Sequence, residues 1–289
     1  HGGFENYRAA KLKLFEKVAR KKDGIGIYNL DDDNVKYFLQ YPIQKKYGYT
    51  LQANQGEHSQ VVKIEDCKLA TGGTEFKIGS TTFRTQLLGT FNIYNAAAAV
   101  CVALSQGMPM EKIKEVLARA KPAPGRLELV DVGQNFKVVV DYSYEPTSLE
   151  NALKTLKIFN PSKIIVVFGS AAGGRDTWRR PVMGKVADKY ADIIVITTDD
   201  PYDEEPAKIV DDILKGVLEN PQRILGQNVF RIVDRREGIR QALDLASEND
   251  VVLVAGKGGE VWMNVADGKK IPWDDRNVVR EEMDKIQRR

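Results

Sequence analysis

Hydrophobic positions in the second half of the chain form short, continuous apolar runs separated by amphipathic segments. The runs KIIVVFG, DIIVITT, VFRIVD and DVVLVAGKG alternate with helical patterns such as EPAKIVDDILKGVL and REGIRQALDLAS. Strands that are apolar throughout are buried on both faces, and helices between consecutive strands make a sheet parallel. The pattern therefore predicts a doubly wound α/β domain.

The first half of the chain has a different pattern. Helical periodicity covers residues 4–22, and short alternating strands with glycine-containing turns predict an antiparallel sheet from about residue 47 to 88. The stretch NIYNAAAAVCVALSQGM predicts a helix that begins near Asn92 or Asn95 and ends at Gly107.

The segment KPAPG separates these two halves, because its prolines and glycine interrupt both helix and strand. A chain of 289 residues with 43% hydrophobic content can bury two cores. We therefore place one domain at residues 1–124 and a second at 125–289.

Composition excludes several classes of function. The 43 basic and 40 acidic residues are spread along the chain, so no basic patch indicates a nucleic-acid partner. With only His1 and His58, the parts of a histidine-rich zinc site or a Ser-His-Asp triad are missing, and no metal site is expected. Cys67 and Cys101 are too few for a disulfide framework, and we expect both to be buried free thiols.

The chain also has no pattern that indicates a membrane. Its apolar runs are far shorter than the roughly 20 residues that span a bilayer, and its first residues lack a signal-peptide core. We expect a cytoplasmic protein.

Four polar loops follow the predicted parallel strands: DYSYEP, GSAAGGRD, TTDDPYDEEP and AGKGGE. Ligands of such sheets bind at the carboxyl ends of the strands, so these loops predict a cleft. They carry seven carboxylates: Asp141, Glu145, Asp176, Asp199, Asp200, Asp203 and Glu260. Such residues either perform chemistry or only face water and cap helices.

In their order and spacing, the motifs of this chain resemble those of the Mur ligases, most closely the MurE type, UDP-N-acetylmuramoyl-peptide synthetase. The matching stretches cover almost the whole chain: HGGFENYRAAKLKLF, NLDD, LLGTFNIYNAAAA, PAPGRLELV, VVVDYSYEPTSLENAL, VFGSAAGGRDTWRRPVMGKVA, TTDDPYDEEP and VVLVAGKGGE. The resemblance implies part of a central domain, with a mixed sheet and helices, followed by a Rossmann-like C-terminal domain. It also implies ATP-dependent addition of an amino acid to a UDP-muramoyl-peptide, with ATP and magnesium as cofactors.

The resemblance also implies roles for individual residues. Lys11 matches the lysine that is carbamylated in the family, and His1 matches the second histidine of a D-H-x-D-x-H-G run. Asn92 matches the asparagine at the nucleotide base, Arg126 the arginine that reaches the phosphates, and Asp141 the strand-end aspartate at the nucleotide. Lys257 joins this cofactor-binding group, and the substrate-binding group consists of Arg175, Asp199, Asp200 and Tyr202.

One element of the family is missing from this sequence. Phosphoryl transfer needs amides that cradle the phosphates, a lysine and a hydroxyl, as in G-x-x-x-x-G-K-[ST]. The Gly-Lys pairs here end at Lys185, Lys257 and Lys269, and no hydroxyl residue follows any of them. We therefore expect a Mur ligase that lacks the first domain and the phosphate-binding half of the second. This chain alone would hold no cofactor and would not act as a ligase.

The C-terminal loops depart from the family at further positions. Tyr144 and Glu145 stand where the family has histidine and threonine, and Gly259 replaces another histidine. In the D-N-P-R loop of diaminopimelate-adding members, Asp200 and Tyr202 replace the asparagine and the arginine. Losing an arginine clamp puts diaminopimelate addition in doubt, and an acidic loop would suit a second ammonium group.

Two other functions stay open from the sequence alone. The chain could be a repurposed glycoside hydrolase, with a carboxyl pair among Asp141, Glu145, Asp176 and Glu260, aided by Tyr144 and acting on a sugar-containing substrate. One carboxyl of this group would then have a raised pKa. Alternatively, it could be a binding protein without catalytic activity.

Overall fold

The structure of the chain is a computed structural model that describes residues 2–52 and 60–288. The chain divides into two compact units, His1–Lys121 and Pro122–Arg289. Each unit has its own sheet and its own buried apolar cluster. Within the described residues, none of the helices has the length and apolar character needed to span a bilayer.

The first unit contains a mixed five-stranded sheet with the strand order β1-β2-β3-β4-β5. The elements follow in chain order as α1 (Phe4–Ala19), β1 (Ile25–Asn29), α2 (Val35–Leu39), β2 (Lys45–Thr50), β3 (Val61–Ala70), β4 (Gly73–Ile78), β5 (Thr81–Thr85), α3 (Thr90–Ser105) and α4 (Met110–Ala118). Strands β3 to β5 are antiparallel, as predicted, but β2 runs parallel to both of its neighbours. Alternating polarity reports which face of a strand is buried, and not the direction of the neighbouring strand.

Helix α3 packs its small residues against this sheet. Ala97, Val100 and Cys101 are fully buried beside the stacked rings of Phe76 and Phe83, whose centroids lie 5.3 Å apart. The expectation of two buried thiols is wrong for one of them. Cys67 is exposed, because it lies at an irregularity of β3 where the alternation of buried and exposed residues stops.

Helix α3 begins earlier than its asparagines suggested. Gly89, at φ 89°, precedes its first turn, and the helix starts at Thr90. The side-chain amide of Asn92 instead donates to the carbonyl oxygen of Leu88 at 2.8 Å. Gly107, at φ 78°, follows the end of the helix as predicted.

The second unit contains a six-stranded sheet with the order β10-β9-β8-β11-β7-β6. Its strands are β6 (Glu128–Val130), β7 (Lys137–Asp141), β8 (Ile164–Phe168), β9 (Ile193–Ile196), β10 (Val229–Arg231) and β11 (Val251–Ala255). Its helices are α5 (Pro146–Leu156), α6 (Arg179–Tyr190), α7 (Pro206–Val217), α8 (Arg235–Leu245) and α9 (Asp275–Gln287). A small hairpin of β12 (Trp262–Asn264) and β13 (Lys270–Pro272) precedes α9.

All pairings in the six-stranded sheet are parallel except that of β6 with β7. Every residue of β8 and β11 is buried, which shows that both faces of the sheet are covered. The predicted doubly wound α/β domain is therefore confirmed. Parallel strands end at the same edge, so the loops after β7, β8, β9 and β11 lie along one side of the sheet.

Candidate functional site

The loop after β7 is anchored by Asp141, the last residue of the strand. One carboxylate oxygen accepts a hydrogen bond from the backbone N–H of Leu127 at 2.8 Å, and the other accepts one from the hydroxyl of Ser143. The side chain is buried, and burial raises the pKa of Asp141 against these hydrogen bonds and the nearby charge of Arg126. Asp141 therefore holds the segment that enters β6 against the end of β7.

Tyr142, the next residue, links Arg126 to the loop after β11. The guanidinium of Arg126 lies 4.5 Å from the centroid of the Tyr142 ring, a cation–π geometry. The Tyr142 hydroxyl donates to Glu260 at 3.2 Å, and burial followed by the Glu260 charge raises the pKa of Tyr142 to about 12. Tyr144 packs edge-on against Tyr142, with ring centroids 4.9 Å apart.

Lys257 lies at the centre of the strand-end loops. Its side chain is fully buried, and its ammonium donates to Asp200 at 2.6 Å and to Glu260 at 2.5 Å, with Asp199 at 4.0 Å. Burial opposes the charged form, but the three carboxylates outweigh it and raise the pKa of Lys257. We call these four residues the Lys257 cluster.

Asp200 accepts three hydrogen bonds through its carboxylate. Its Oδ1 accepts from Lys257 and from the backbone N–H of Asn264 at 2.9 Å, and its Oδ2 accepts from the Asn264 side-chain amide at 2.7 Å. The side chain is only 5% exposed. Asp200 therefore connects the loop after β9 to the β12–β13 hairpin.

Asp199 is the most deeply buried carboxylate of the cluster. Burial raises its pKa to about 6, although the charges of Arg235 and Lys257 act in the opposite direction. Its Oδ2 atom has no hydrogen-bond partner among the described residues. The glycosidase alternative placed a raised pKa among Asp141, Glu145, Asp176 and Glu260, and of these four burial raises that of Asp141. Asp199 lies outside that group.

At Gly259, where the resemblance implies a histidine, this backbone leaves no room for a side chain. A Cβ atom at Gly259 would lie 2.4 Å from the carbonyl oxygen of Pro124. A Cβ at Gly125 would lie 1.9 Å from the Gly259 nitrogen. The two backbones therefore meet at a separation that only glycines allow.

Glu145 and Asp176 are placed differently from the Lys257 cluster. Glu145 precedes α5 and forms an ion pair with Arg179 at 2.5 Å, where Arg179 is 3% and Glu145 44% exposed. Asp176 is exposed on the loop after β8, and Asp203 accepts a hydrogen bond from the backbone of Asp267 at 2.9 Å. The structure therefore gives Glu145 a partner that sequence reasoning did not identify.

The residues assigned to the nucleotide by resemblance fall in both units. Lys11 is exposed on α1, with its ammonium 5.3 Å from the ring centroid of Tyr7, and Asn92 lies in the first turn of α3. Arg126 belongs to the second unit. His1 and His58 lie outside the described residues.

Several polar residues with partners distant in sequence were not singled out by the sequence analysis. The Arg235 guanidinium forms two hydrogen bonds to Asp275, at 2.8 and 2.7 Å, and both side chains are almost completely buried. In the first unit, Asp31 accepts hydrogen bonds from Leu51 and from the Tyr94 hydroxyl, at 2.8 and 2.9 Å. These partners are distant in sequence, so only the NLDD match could have drawn attention to Asp31.

Two family models match this chain, one in each half. The Mur ligase middle domain matches residues 1–103, and the glutamate ligase domain of Mur ligases matches residues 125–258. The chain therefore contains the middle and C-terminal domains of Mur ligases.

Its curated relatives include ligases of one named specificity. The UDP-N-acetylmuramoyl-L-alanyl-D-glutamate–2,6-diaminopimelate ligase of Geobacillus kaustophilus is 38% identical over 288 residues, which are 97% of this chain and 56% of the relative. The ligase of the same name from Syntrophomonas wolfei is 37% identical over 285 residues, with the same coverage of 97% and 56%. This chain thus spans a little over half the length of these relatives.

Solved structures agree with this placement. A structure of a UDP-N-acetylmuramoyl-L-alanyl-D-glutamate–2,6-diaminopimelate ligase matches with a TM-score of 0.58 and 29% identity, over 99% of this chain and 58% of the other. A pseudomurein peptide ligase type C from Methanothermus fervidus matches with a TM-score of 0.69 over 98% of this chain and 60% of the other. At 19% identity, the second match supports the fold alone.

Proposed function

We propose that this chain is the part of a MurE-like ligase that receives the incoming amino acid during ATP-dependent extension of a UDP-muramoyl-peptide. The observation that carries the proposal is the Lys257 cluster, in which the buried ion pair of Lys257 with Asp200 joins two loops that match family motifs, those after β9 and β11. Tyr142 adds the loop after β7 through its bond to Glu260. Three separate motifs thus form one site, as a ligase that aligns several substrates requires. We assign the middle-domain role to residues 1–124 and the C-terminal role to residues 125–289.

The residues present do not fit the terminal phosphates of ATP. The sequence has no phosphate-binding loop, and the Lys257 ammonium is enclosed by carboxylates. Within residues 2–52 and 60–288, no group of three or more His, Cys, Asp or Glu side chains could hold a metal ion. Mg-ATP would supply the phosphoryl group that activates a carboxylate, and we infer that its phosphate cradle must come from outside these 289 residues.

Arg126 is the residue of the second unit best suited to an anionic ligand. Its guanidinium lies 4.5 Å from the centroid of the Tyr142 ring. The planar fork of a guanidinium suits phosphate oxygens. We assign Arg126 to binding of a nucleotide phosphate, and Asp141 to holding the backbone beside it.

The hydrolase and binding-protein alternatives receive no support from the comparisons, whose matches are ligases. The ligase proposal implies a cytoplasmic location, because the cytoplasm is where a nucleotide-linked peptide and ATP are expected together.

The test is phosphate release with UDP-muramoyl-dipeptide, magnesium, ATP and a panel of amino acids. We expect no turnover by the 289-residue chain. We expect turnover of about 1 per second or more when the chain is extended upstream by its own reading frame, or by the corresponding segment of the Geobacillus kaustophilus relative. Turnover by the unextended chain would contradict the inferred missing cradle, and none by either extended chain would contradict the ligase proposal.

A further inference from the structure

The Arg126 guanidinium is exposed, and its contact with the protein is the ring of Tyr142. The guanidinium carbon lies 4.5 Å from the ring centroid. Within residues 2–52 and 60–288, no carboxylate pairs with this guanidinium and no oxygen accepts a hydrogen bond from it. The face of an aromatic ring attracts a cation without accepting its N–H groups in the way that an oxygen does. The ring therefore holds the arginine and leaves its hydrogen-bond donors available for an anion.

Other cations on the strand-end loops are already bonded. Arg175 donates to the carbonyl oxygen of Ala172 at 3.3 Å. The Lys257 ammonium is enclosed by the carboxylates of its cluster. Arg126 differs from both, because it can bind phosphate oxygens without first giving up a hydrogen bond.

The backbone that carries Arg126 is fixed on both sides. The N–H of Gly125 donates to the carboxylate of Glu128 at 2.7 Å. The N–H of Leu127 donates to the carboxylate of Asp141 at 2.8 Å. The freedom that remains is that of the arginine side chain, and the aromatic ring limits it.

The loop after β11 holds Tyr142 at both ends of its side chain. The hydroxyl donates to Oε1 of Glu260 at 3.2 Å, while Oε2 of Glu260 accepts from Lys257. Burial, followed by the Glu260 charge, raises the pKa of Tyr142 to about 12, so the hydroxyl keeps its proton at neutral pH. A Cβ atom at Gly258 would lie 2.7 Å from the Tyr142 Cβ, so the backbone of this loop packs on the base of the tyrosine.

We propose that Tyr142 is a positioning residue for the nucleotide phosphate: its ring holds Arg126 with the N–H donors free, and its hydroxyl, bonded to Glu260, keeps the ring in place. This inference rests on the proposed function, because it concerns the phosphate that Arg126 binds. An arginine that is ordered in advance loses less side-chain freedom on binding. The Lys257 cluster then affects phosphate affinity without contacting the ligand.

The first experiment tests the contact without any ligand. Protons over the face of an aromatic ring resonate upfield, so NMR of the 289-residue chain should show Arg126 side-chain protons upfield of those in free arginine. Arg126→Lys assigns the signals. We expect Tyr142→Leu to abolish this displacement and Tyr142→Phe to reduce it, because the phenylalanine ring is no longer held by Glu260. A displacement that survives in Tyr142→Leu would overturn the contact, and one unchanged in Tyr142→Phe would overturn the role of the hydroxyl.

Tyr190→Phe is the matched control. It also removes a tyrosine hydroxyl that is bonded to a glutamate, because Tyr190 on α6 donates to Glu150 at 2.6 Å. We expect its Arg126 signals to equal those of wild type. If Tyr142→Leu does not fold, Tyr142→Phe decides the outcome, because its ring fills the same space.

The second experiment titrates the same variants with sodium tripolyphosphate at constant ionic strength, followed by NMR. Arg126→Gln should weaken binding about tenfold or more, since charge-assisted hydrogen bonds are lost. We expect Tyr142→Leu to weaken it about fivefold, Tyr142→Phe about twofold, and Tyr190→Phe to leave it unchanged. In the Arg126→Gln background, Tyr142→Leu should cause no further weakening, because the tyrosine acts through the arginine.

Three outcomes would overturn the positioning role: Tyr142→Leu binding tripolyphosphate as tightly as wild type, an equal weakening by Tyr142→Leu in the Arg126→Gln background, or no binding by wild type at about 50 mM. These results are separate from the ligase test. If an extended chain releases phosphate but Tyr142→Leu leaves the Arg126 signals unchanged, only this inference is refuted. If no extended chain turns over but both Tyr142 effects are found, the ligase proposal fails and the Tyr142–Arg126 contact stands.

Discussion

The ammonium of Lys257 lies 2.6 Å from a carboxylate oxygen of Asp200, and the lysine side chain is completely buried. A lysine in this position cannot reach a phosphate without breaking the pair. The ion pair joins residues 57 positions apart, on loops that follow two different strands. Its role in this unit is to hold those loops together and to cancel part of their negative charge.

Replacing Lys257 by methionine should destabilise the second unit strongly. The change leaves Asp200 buried without its cation, and breaking one partner of a buried pair costs about 3–5 kcal/mol. Urea unfolding followed by circular dichroism measures the difference. Lys269→Met is the control, because Lys269 and its partner Asp267 are both exposed, and we expect a change of at most about 0.5 kcal/mol.

The double variant Lys257→Met with Asp200→Asn distinguishes loss of the ion pair from other effects of the lysine substitution on stability. If the ion pair is the cause, the double variant should lose clearly less stability than the sum of the two single variants. Strict additivity would show that the lysine stabilises the unit by packing alone.

Replacing Asp199 by asparagine should change how stability depends on pH. Burial raises the pKa of Asp199 from 3.8 to about 6, so the folded chain binds this proton more tightly than the unfolded chain. The resulting stability is present below about pH 4 and is lost as the pH rises through about 6. The free energy of unfolding of Asp199→Asn relative to wild type should therefore rise by about 2–3 kcal/mol between pH 4 and 7.

The comparison with wild type matters because burial also raises the pKa of Asp141, which contributes a slope of the same sign in both proteins. Asp203→Asn, an exposed change on the same loop, is the control for the substitution of an aspartate by asparagine. A difference between Asp199→Asn and wild type that stays constant with pH would contradict the raised pKa.

The sequence contained enough information for the architecture of the second unit but not for its polar site. Continuous apolar runs identify buried parallel strands because burial on both faces leaves no alternation. The runs carry no strand order, and β11 lies between β7 and β8 rather than at an edge. That order brings Glu260 to Tyr142 across 118 positions, a contact that no local pattern encodes.

Family resemblance located the loops correctly but could not show which charges they expose. DDPYDEEP is acidic as a string, yet Asp200 is matched by a lysine from the loop after β11. The charge that such a loop exposes depends on ion pairs with other segments of the chain. These pairs are visible only in the folded structure. The same limit applies to Cys67, whose exposure follows from a strand irregularity rather than from its apolar neighbours.

Replacing Gly125 by alanine should be far more damaging than the same change at Gly133. Both glycines have positive φ, 65° and 86°. Alanine at either position should therefore lower the free energy of unfolding by about 1 kcal/mol, because an L-residue is strained in the left-handed region. Only Gly125 also faces backbone, with the Gly259 nitrogen 1.9 Å from the added Cβ. No atom lies within 4 Å of a Cβ at Gly133. We expect a loss of about 3 kcal/mol or more for Gly125→Ala, measured by urea unfolding, and equal losses for the two variants would contradict the close approach.

Replacing Glu145 by alanine should reduce stability through Arg179. The Arg179 guanidinium is buried, donates to Glu145 at 2.5 Å and to the Ala171 carbonyl oxygen at 2.8 Å, and its Nε has no partner among the described residues. Removing Glu145 leaves a buried cation with one fewer acceptor, and solvent screening of the half-exposed glutamate limits the cost to about 1–2 kcal/mol. Urea unfolding of Glu145→Ala and Glu145→Gln gives the values, and Gln should retain part of the stability because its amide oxygen still accepts.

Asp211→Ala is the matched control for Glu145, because it removes a carboxylate that pairs with an arginine, Arg231, at the surface. We expect a change of at most about 0.5 kcal/mol there. In Arg179→Met, further loss of Glu145 should cost less than it does in wild type, since the cation is gone. If Glu145→Ala unfolds at the same urea concentration as wild type, the ion pair with Arg179 contributes nothing to stability.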